Sequence, residues 1–105
     1  MSIFDNITGF DWDENNLQKS FIKHNVSPKE SEEAFKDENL ILVKEVNFKN
    51  EKRYVVFGVT PRNRYLTVVF TIRNNLIRVI SARTQNKSER KIYKEKNEKS
   101  KKEKS

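Results

Sequence analysis

The sequence predicts an α+β domain in which two N-terminal helices pack on a four-stranded antiparallel sheet, followed by a C-terminal helix. Three observations predict it. Helix-start signals are confined to the two ends of the chain, the stretch between them alternates with period two, and short polar segments punctuate that stretch. At 105 residues the chain suits a single domain, whose usual size is roughly 100–150 residues. Residues 1–93 make up that domain. The Lys/Glu tail over 94–105 has no apolar side chain and is expected to be a frayed helix or disordered.

Taken in order, Asp13 is placed to cap a helix over residues 14–24, with Leu17, Phe21 and His24 on one inward stripe. Ser27, Pro28 and Glu30 form the N-cap, first-turn proline and capping-box acid of a second helix over 28–35, with Ala34 and Phe35 inward. Strands are expected over 40–46, 52–59, 65–72 and 76–83, each a β-branched or aromatic run. In the third strand Leu66, Val68, Phe70 and Ile72 share one face, and Thr67, Val69, Thr71 and Arg73 the other. A two-residue turn at Asn74 and Asn75 sets Thr71 opposite Arg78 and Val69 opposite Ile80. Arg73 and Arg78 then share the less apolar face, while Arg83 has the opposite parity unless a bulge intervenes. Asn86 and Glu89 cap the last helix, which carries Arg90, Ile92 and Tyr93.

Composition excludes much chemistry. With no cysteine, a lone His24 and glycine only at Gly9 and Gly58, the chain offers no disulfide framework, thiolate site, metal-ligand cluster or phosphate-cradling loop. The pairs Asp11/Asp13 and Glu32/Glu33 have no supporting constellation, so neither a metal nor a cofactor is expected. The apolar runs are too short to span a bilayer, and the chain reads as cytoplasmic, with no membrane partner. The net charge of +7 divides into −5 over residues 1–45, +9 over 46–93 and +3 over the tail. All seven arginines lie between positions 53 and 90, although lysine occurs throughout. Confinement of the planar, bidentate donor suggests phosphate recognition. The competing reading is that these arginines pair with the acidic first half.

Phe10-Asp11-Trp12-Asp13-Glu14, Lys23-His24 before Val26-Ser27, and Phe35 resemble the opening of BrnT-like toxins. Glu51-x-Arg53 with Gly58, Phe70-Thr71-x-Arg73, the run from Arg78 through Ile80 and Ser81 to Arg83, and Glu89-Arg90 with Tyr93 continue the same pattern to about residue 93. The resemblance implies a type II toxin–antitoxin ribonuclease with a RelE-like fold, neutralised by a DNA-binding antitoxin of ribbon-helix-helix type. It implies growth arrest through RNA cleavage, with operator DNA bound only through the toxin–antitoxin complex. The family commonly has Lys where this chain has Asn16, Asn at Ser20, Gly at Asn25 and an aromatic at Pro28, so one part of a phosphate surface is weakened here.

RNA can be cut without a metal because its own 2′-OH attacks the neighbouring phosphate, given a proton acceptor, a proton donor and cations. His24 titrates nearest neutrality and is the first acid–base candidate, against the plainer role of packing at a helix end. Arg53, Arg73, Arg78 and Arg83 are the candidates for phosphate binding and transition-state stabilisation, and Glu51 and Glu89 those for orienting them. Tyr93 is a candidate for stacking or proton donation, or else for burial between helix and sheet. Lys23, Arg62, Arg64 and Arg90 are expected to contact or steer RNA. The alternative function is a non-catalytic RNA- or DNA-binding module, and a third reading is a domain that docks an acidic protein.

Overall fold

In the computed structural model, which describes residues 3–104, the elements run β1 (Gly9–Phe10), α1 (Lys19–His24), α2 (Pro28–Phe35), β2 (Ile41–Phe48), β3 (Glu51–Val59), β4 (Tyr65–Arg73), β5 (Leu76–Thr84) and α3 (Lys87–Lys104). The class is α+β, but the sheet has five strands in the order β1-β5-β4-β3-β2 rather than four. It is also mixed, because β1 lies parallel to β5. A two-residue strand shows no alternation in sequence. Its existence depends on long-range pairing of Gly9 and Phe10 with Leu76 and Ile77, extended by Asp11 N donating to Ile77 O at 2.8 Å.

The first helix departs from expectation. It begins at Lys19, and residues 14–18 form turns. The Asp13 carboxylate accepts from Asn15 N at 2.8 Å, and Asn16 Oδ1 accepts from Asp13 N at 2.8 Å, so local side-chain bonds compete with the helix. Asn16 and Ser20 are the buried residues here, whereas Leu17 and Phe21, expected inward, are 41% and 50% exposed. The reason lies in the edge of β5. Beyond the short β1 this edge has backbone groups to satisfy, and Asn16 Nδ2 donates to Val79 O (3.1 Å) while Ser20 Oγ accepts from Ala82 N (2.8 Å). The buried side of α1 is thus a polar seam. Asn25, in the left-handed region at φ 56°, ends it.

The second helix follows its sequence signals, with both arms of the Ser27–Glu30 capping box formed. Two-residue turns at Lys49-Asn50 and Asn74-Asn75 close the β2–β3 and β4–β5 hairpins, and all four residues have positive φ, as turns matching the strand twist require. Thr71 pairs with Arg78 as expected, but Val69 pairs with Ser81, not Ile80. Ile80 is the extra residue of a bulge. That bulge changes the parity of everything after it, so Arg83, opposite Thr67, shares the face of Arg78.

The other face carries the core: Tyr54, Val56, Leu66, Val68, Phe70, Ile77, Val79 and Ala82, covered by Val26, Ala34, Phe35 and the N-terminal Phe4, Phe10 and Trp12. Phe35 sets its ring edge on Phe70 at 5.0 Å between centroids. Gly58 lets α2 approach this sheet closely. The C-terminal helix begins at the Asn86–Glu89 box and continues through the Lys/Glu tail to Lys104.

Candidate active site

Cross-strand pairing alone assembles the arginines. Thr71, buried near the C-terminal end of the central strand β4, has Arg53 beside it on β3 and Arg78 beside it on β5. Directly paired residues share a face, and strands lie about 4.8 Å apart, so the two arginine backbones stand about 10 Å apart with their side chains on one side of the sheet. Arg73 is one strand-period further along β4. Together with Glu51, Lys19, Asn15 and Asn16 these arginines line a shallow cavity of about 190 Å³.

Each guanidinium is held differently. Arg73 donates through Nε (2.9 Å) and Nη2 (2.7 Å) to one oxygen of Glu51. Arg53 lies 4.2 Å from the centroid of Phe48, an edge-strand ring, with its Nε 3.6 Å from Glu51 Oε2. Among the described residues that Nε is a buried polar atom without a hydrogen bond within the usual distance, and it faces Glu51 rather than the open side of the cavity. Arg78 bridges both aspartates of the loop before α1, Asp13 at 2.9 Å and Asp11 at 3.5 Å. Two arginines thus flank the Glu51 carboxylate while the third is paired with two aspartates at the rim, an arrangement chemically able to meet an anion.

The remaining candidates lie elsewhere. Arg83 is about 13 Å along the sheet from the Arg78 row, four residues by β4 spacing, and its fork holds Glu89 at 2.7 and 2.9 Å. Arg64 ties two helices together, donating to Asn25 O and Glu30 Oε2, both at 2.7 Å, and to His24 O at 3.5 Å. His24 is thus half-buried at the far end of α1 and does not line the arginine cavity. Tyr93 is 7% exposed, with its ring edge on Tyr65 and its hydroxyl donating to Asp37 Oδ2 at 2.6 Å. Asp37 also accepts from Val59 N, so Tyr93 joins α3 to the end of β3. Lys23, Arg62 and Arg90 are exposed. The sequence shows the Asp11/Asp13 pair but not its partner, which is Arg78, and it gives no signal for Lys19 or Phe48.

These contacts dictate a pH response. Hydrogen bonds from Arg78, Arg73 and Arg83 hold the Asp13, Glu51 and Glu89 carboxyls below their ordinary values. Lowered folded-state values mean stability that is present above the unfolded value, about 4, and lost as pH falls through the depressed ones. Burial, then the Asp37 contact, raises the Tyr93 hydroxyl. A raised value means stability present below about 10 and lost above it. Thermal melting followed by circular dichroism is expected to plateau between about pH 5 and 9, falling on both sides. Tyr93→Phe should flatten the alkaline limb, and a loss centred on pH 6–8 would contradict these assignments.

A family model described as the ribonuclease toxin BrnT of type II toxin–antitoxin systems matches residues 12–89. The chain belongs to the BrnT toxin family. The match spans the Asp13 loop, both arginine-bearing hairpins and Glu89, so every residue lining the arginine cavity falls inside the BrnT region. No curated protein matched the chain. Among the described residues no helix is long and apolar enough to cross a membrane. Membership of a type II toxin–antitoxin family implies an antitoxin partner for this BrnT-family chain.

Proposed function

We propose that this toxin is a metal-independent endoribonuclease that arrests translation and growth and is neutralised by a ribbon-helix-helix, DNA-binding antitoxin, through which alone it reaches operator DNA. The observation that carries the reading is the convergence of Arg53, Arg73 and Arg78 on one open cavity. A phosphodiester entering there meets cations on both sides of Thr71. Arginine forks hold the phosphoryl oxygens in line and stabilise the charge that builds as the RNA 2′-oxygen attacks phosphorus and the 5′-oxygen leaves. In this open site solvent water takes the 2′-hydroxyl proton and gives one to the leaving 5′-oxygen, so the products are a 2′,3′-cyclic phosphate and a 5′-hydroxyl. Glu51 keeps Arg73 extended toward the phosphate and stays ionised near neutrality. Arg83 lies further along the same face, where a neighbouring phosphate would have to compete with Glu89 for its fork. His24 and Tyr93 act in this reading through the fold, at the α1 end and under α3.

Purified protein is expected to cleave single-stranded RNA at undiminished rate in excess EDTA, leaving cyclic-phosphate ends. Binding without cleavage would favour the non-catalytic module, and cleavage abolished by EDTA would overturn the chemistry.

A further inference from the structure

The edge strand β2 carries an apolar strip on the arginine face. It pairs with β3 alone, and its register sets Lys44 opposite Val55, Val46 opposite Arg53 and Phe48 opposite Glu51. Directly paired residues share a face, so Val46 and Phe48 stand on the side of the sheet that holds the arginine cavity. They are 38% and 43% exposed, and neither belongs to the hydrophobic core. The Arg53 guanidinium lies 4.2 Å from the centroid of the Phe48 ring, and Lys49 Nζ, from the hairpin turn, lies 5.4 Å from it. Arg53 is also a wall of the cavity. An aromatic ring thus sits one side chain away from the proposed phosphate site, with cations beside it and part of its surface open.

We propose that Phe48 is a base-stacking residue: when a phosphodiester of single-stranded RNA occupies the arginine cavity, the nucleobase beside it lies on the open part of the Phe48 ring, over β2. The inference rests on the reading of the cavity as the site of RNA cleavage. Surfaces that take single strands combine cations along the backbone with aromatic rings under the bases, and such stacking tolerates any sequence because every base has a π-face. Here the two parts are sorted by strand. Arg53, Arg73 and Arg78 come from β3, β4 and β5, whereas Val46 and Phe48 come from β2. That sorting orients the RNA, with its backbone over Thr71 and its bases turned toward β2 rather than toward α1. The guanidinium on the ring holds Phe48 in place, so little side-chain freedom is lost when a base arrives. A base inside a duplex is already paired and stacked, and must leave that stack to reach the ring. Preference for unpaired RNA follows.

Phe48→Ala is expected to raise KM for a short single-stranded RNA about tenfold, as loss of one stacked base does, with kcat nearly unchanged. Phe48→Trp should return KM to the parent value. The deciding measurement pairs these proteins with RNAs in which an abasic ribose replaces the nucleotide on the 5′ or the 3′ side of the cleaved bond. One of the two abasic RNAs should weaken the parent by the same factor, and on that RNA Phe48→Ala should be no weaker than the parent, a non-additivity that a structural role does not produce. Equal KM for Phe48→Ala and the parent on intact RNA would overturn the proposal. So would an undiminished effect of Phe48→Ala on both abasic RNAs, which would make the ring a support for Arg53. If the parent cleaves no RNA the enzymatic reading fails, yet the same cycle still decides the stacking, read as fluorescence anisotropy of an intact against an all-abasic oligoribonucleotide. Absence of RNA binding by the parent would overturn both.

Discussion

Arg78→Ala is expected to lower RNA-cleavage efficiency by about 10²–10³-fold, the usual effect of removing one donor aimed at developing transition-state charge. Arg78 is only 12% exposed in its side chain and is clamped between Asp11 and Asp13, so its position costs little to hold when substrate arrives. Arg78→Lys should recover only part of the rate, since an ammonium keeps the charge but not the planar fork. The same ion pairs offer a structural explanation for any loss, and a paired variant separates the two. Asp11→Asn/Asp13→Asn removes the strut and keeps the arginine. Cleavage retained there and lost in Arg78→Ala places Arg78 on the RNA, while equal losses would make it a strut for the loop. The readout is initial rate on a short labelled RNA, with circular dichroism confirming the fold.

Gly58→Ala is expected to cost about 2–3 kcal/mol, at the upper part of the range for overpacking, and to lower the melting temperature by about 10 °C or more. An ordinary glycine-to-alanine change at a compatible backbone would instead stabilise by about 0.4–1 kcal/mol through the unfolded chain. The sign reverses here because a Cβ would stand 2.6 Å from Ala34 O and 2.9 Å from Leu40 Cδ1. The leucine can move, but the carbonyl belongs to α2, which would have to lift off the sheet. Leu40→Ala in the same chain is therefore not expected to restore stability. A melting temperature equal to the parent's would show that α2 does not pack as closely on β3 as this contact requires.

The elements that were legible from sequence are those with local causes. Ser27, Pro28 and Glu30 stop and start the chain through bonds within four residues, and α2 spans the expected 28–35. The asparagine pair at 74 and 75 tolerates positive φ, which set the hairpin and with it the pairing of Thr71 with Arg78. Charge partition was legible as well, and the pairing reading holds for two arginines: Arg64 and Arg78 pair with acids of the first half, Glu30, Asp11 and Asp13.

What sequence by itself determined is the inventory: an α+β chain of the BrnT family with its arginines confined to one stretch and no thiol chemistry. Tertiary structure decided which of those arginines meet. The bulge at Ile80 turned Arg83 onto the face of Arg78, the unfilled edge of β5 drew Asn16 and Ser20 inward, and that in turn left Leu17, Phe21 and Ile22 outside. None of these follows from periodicity, because each is set by backbone groups more than sixty residues away in the chain or by a strand register that only its partner strand defines.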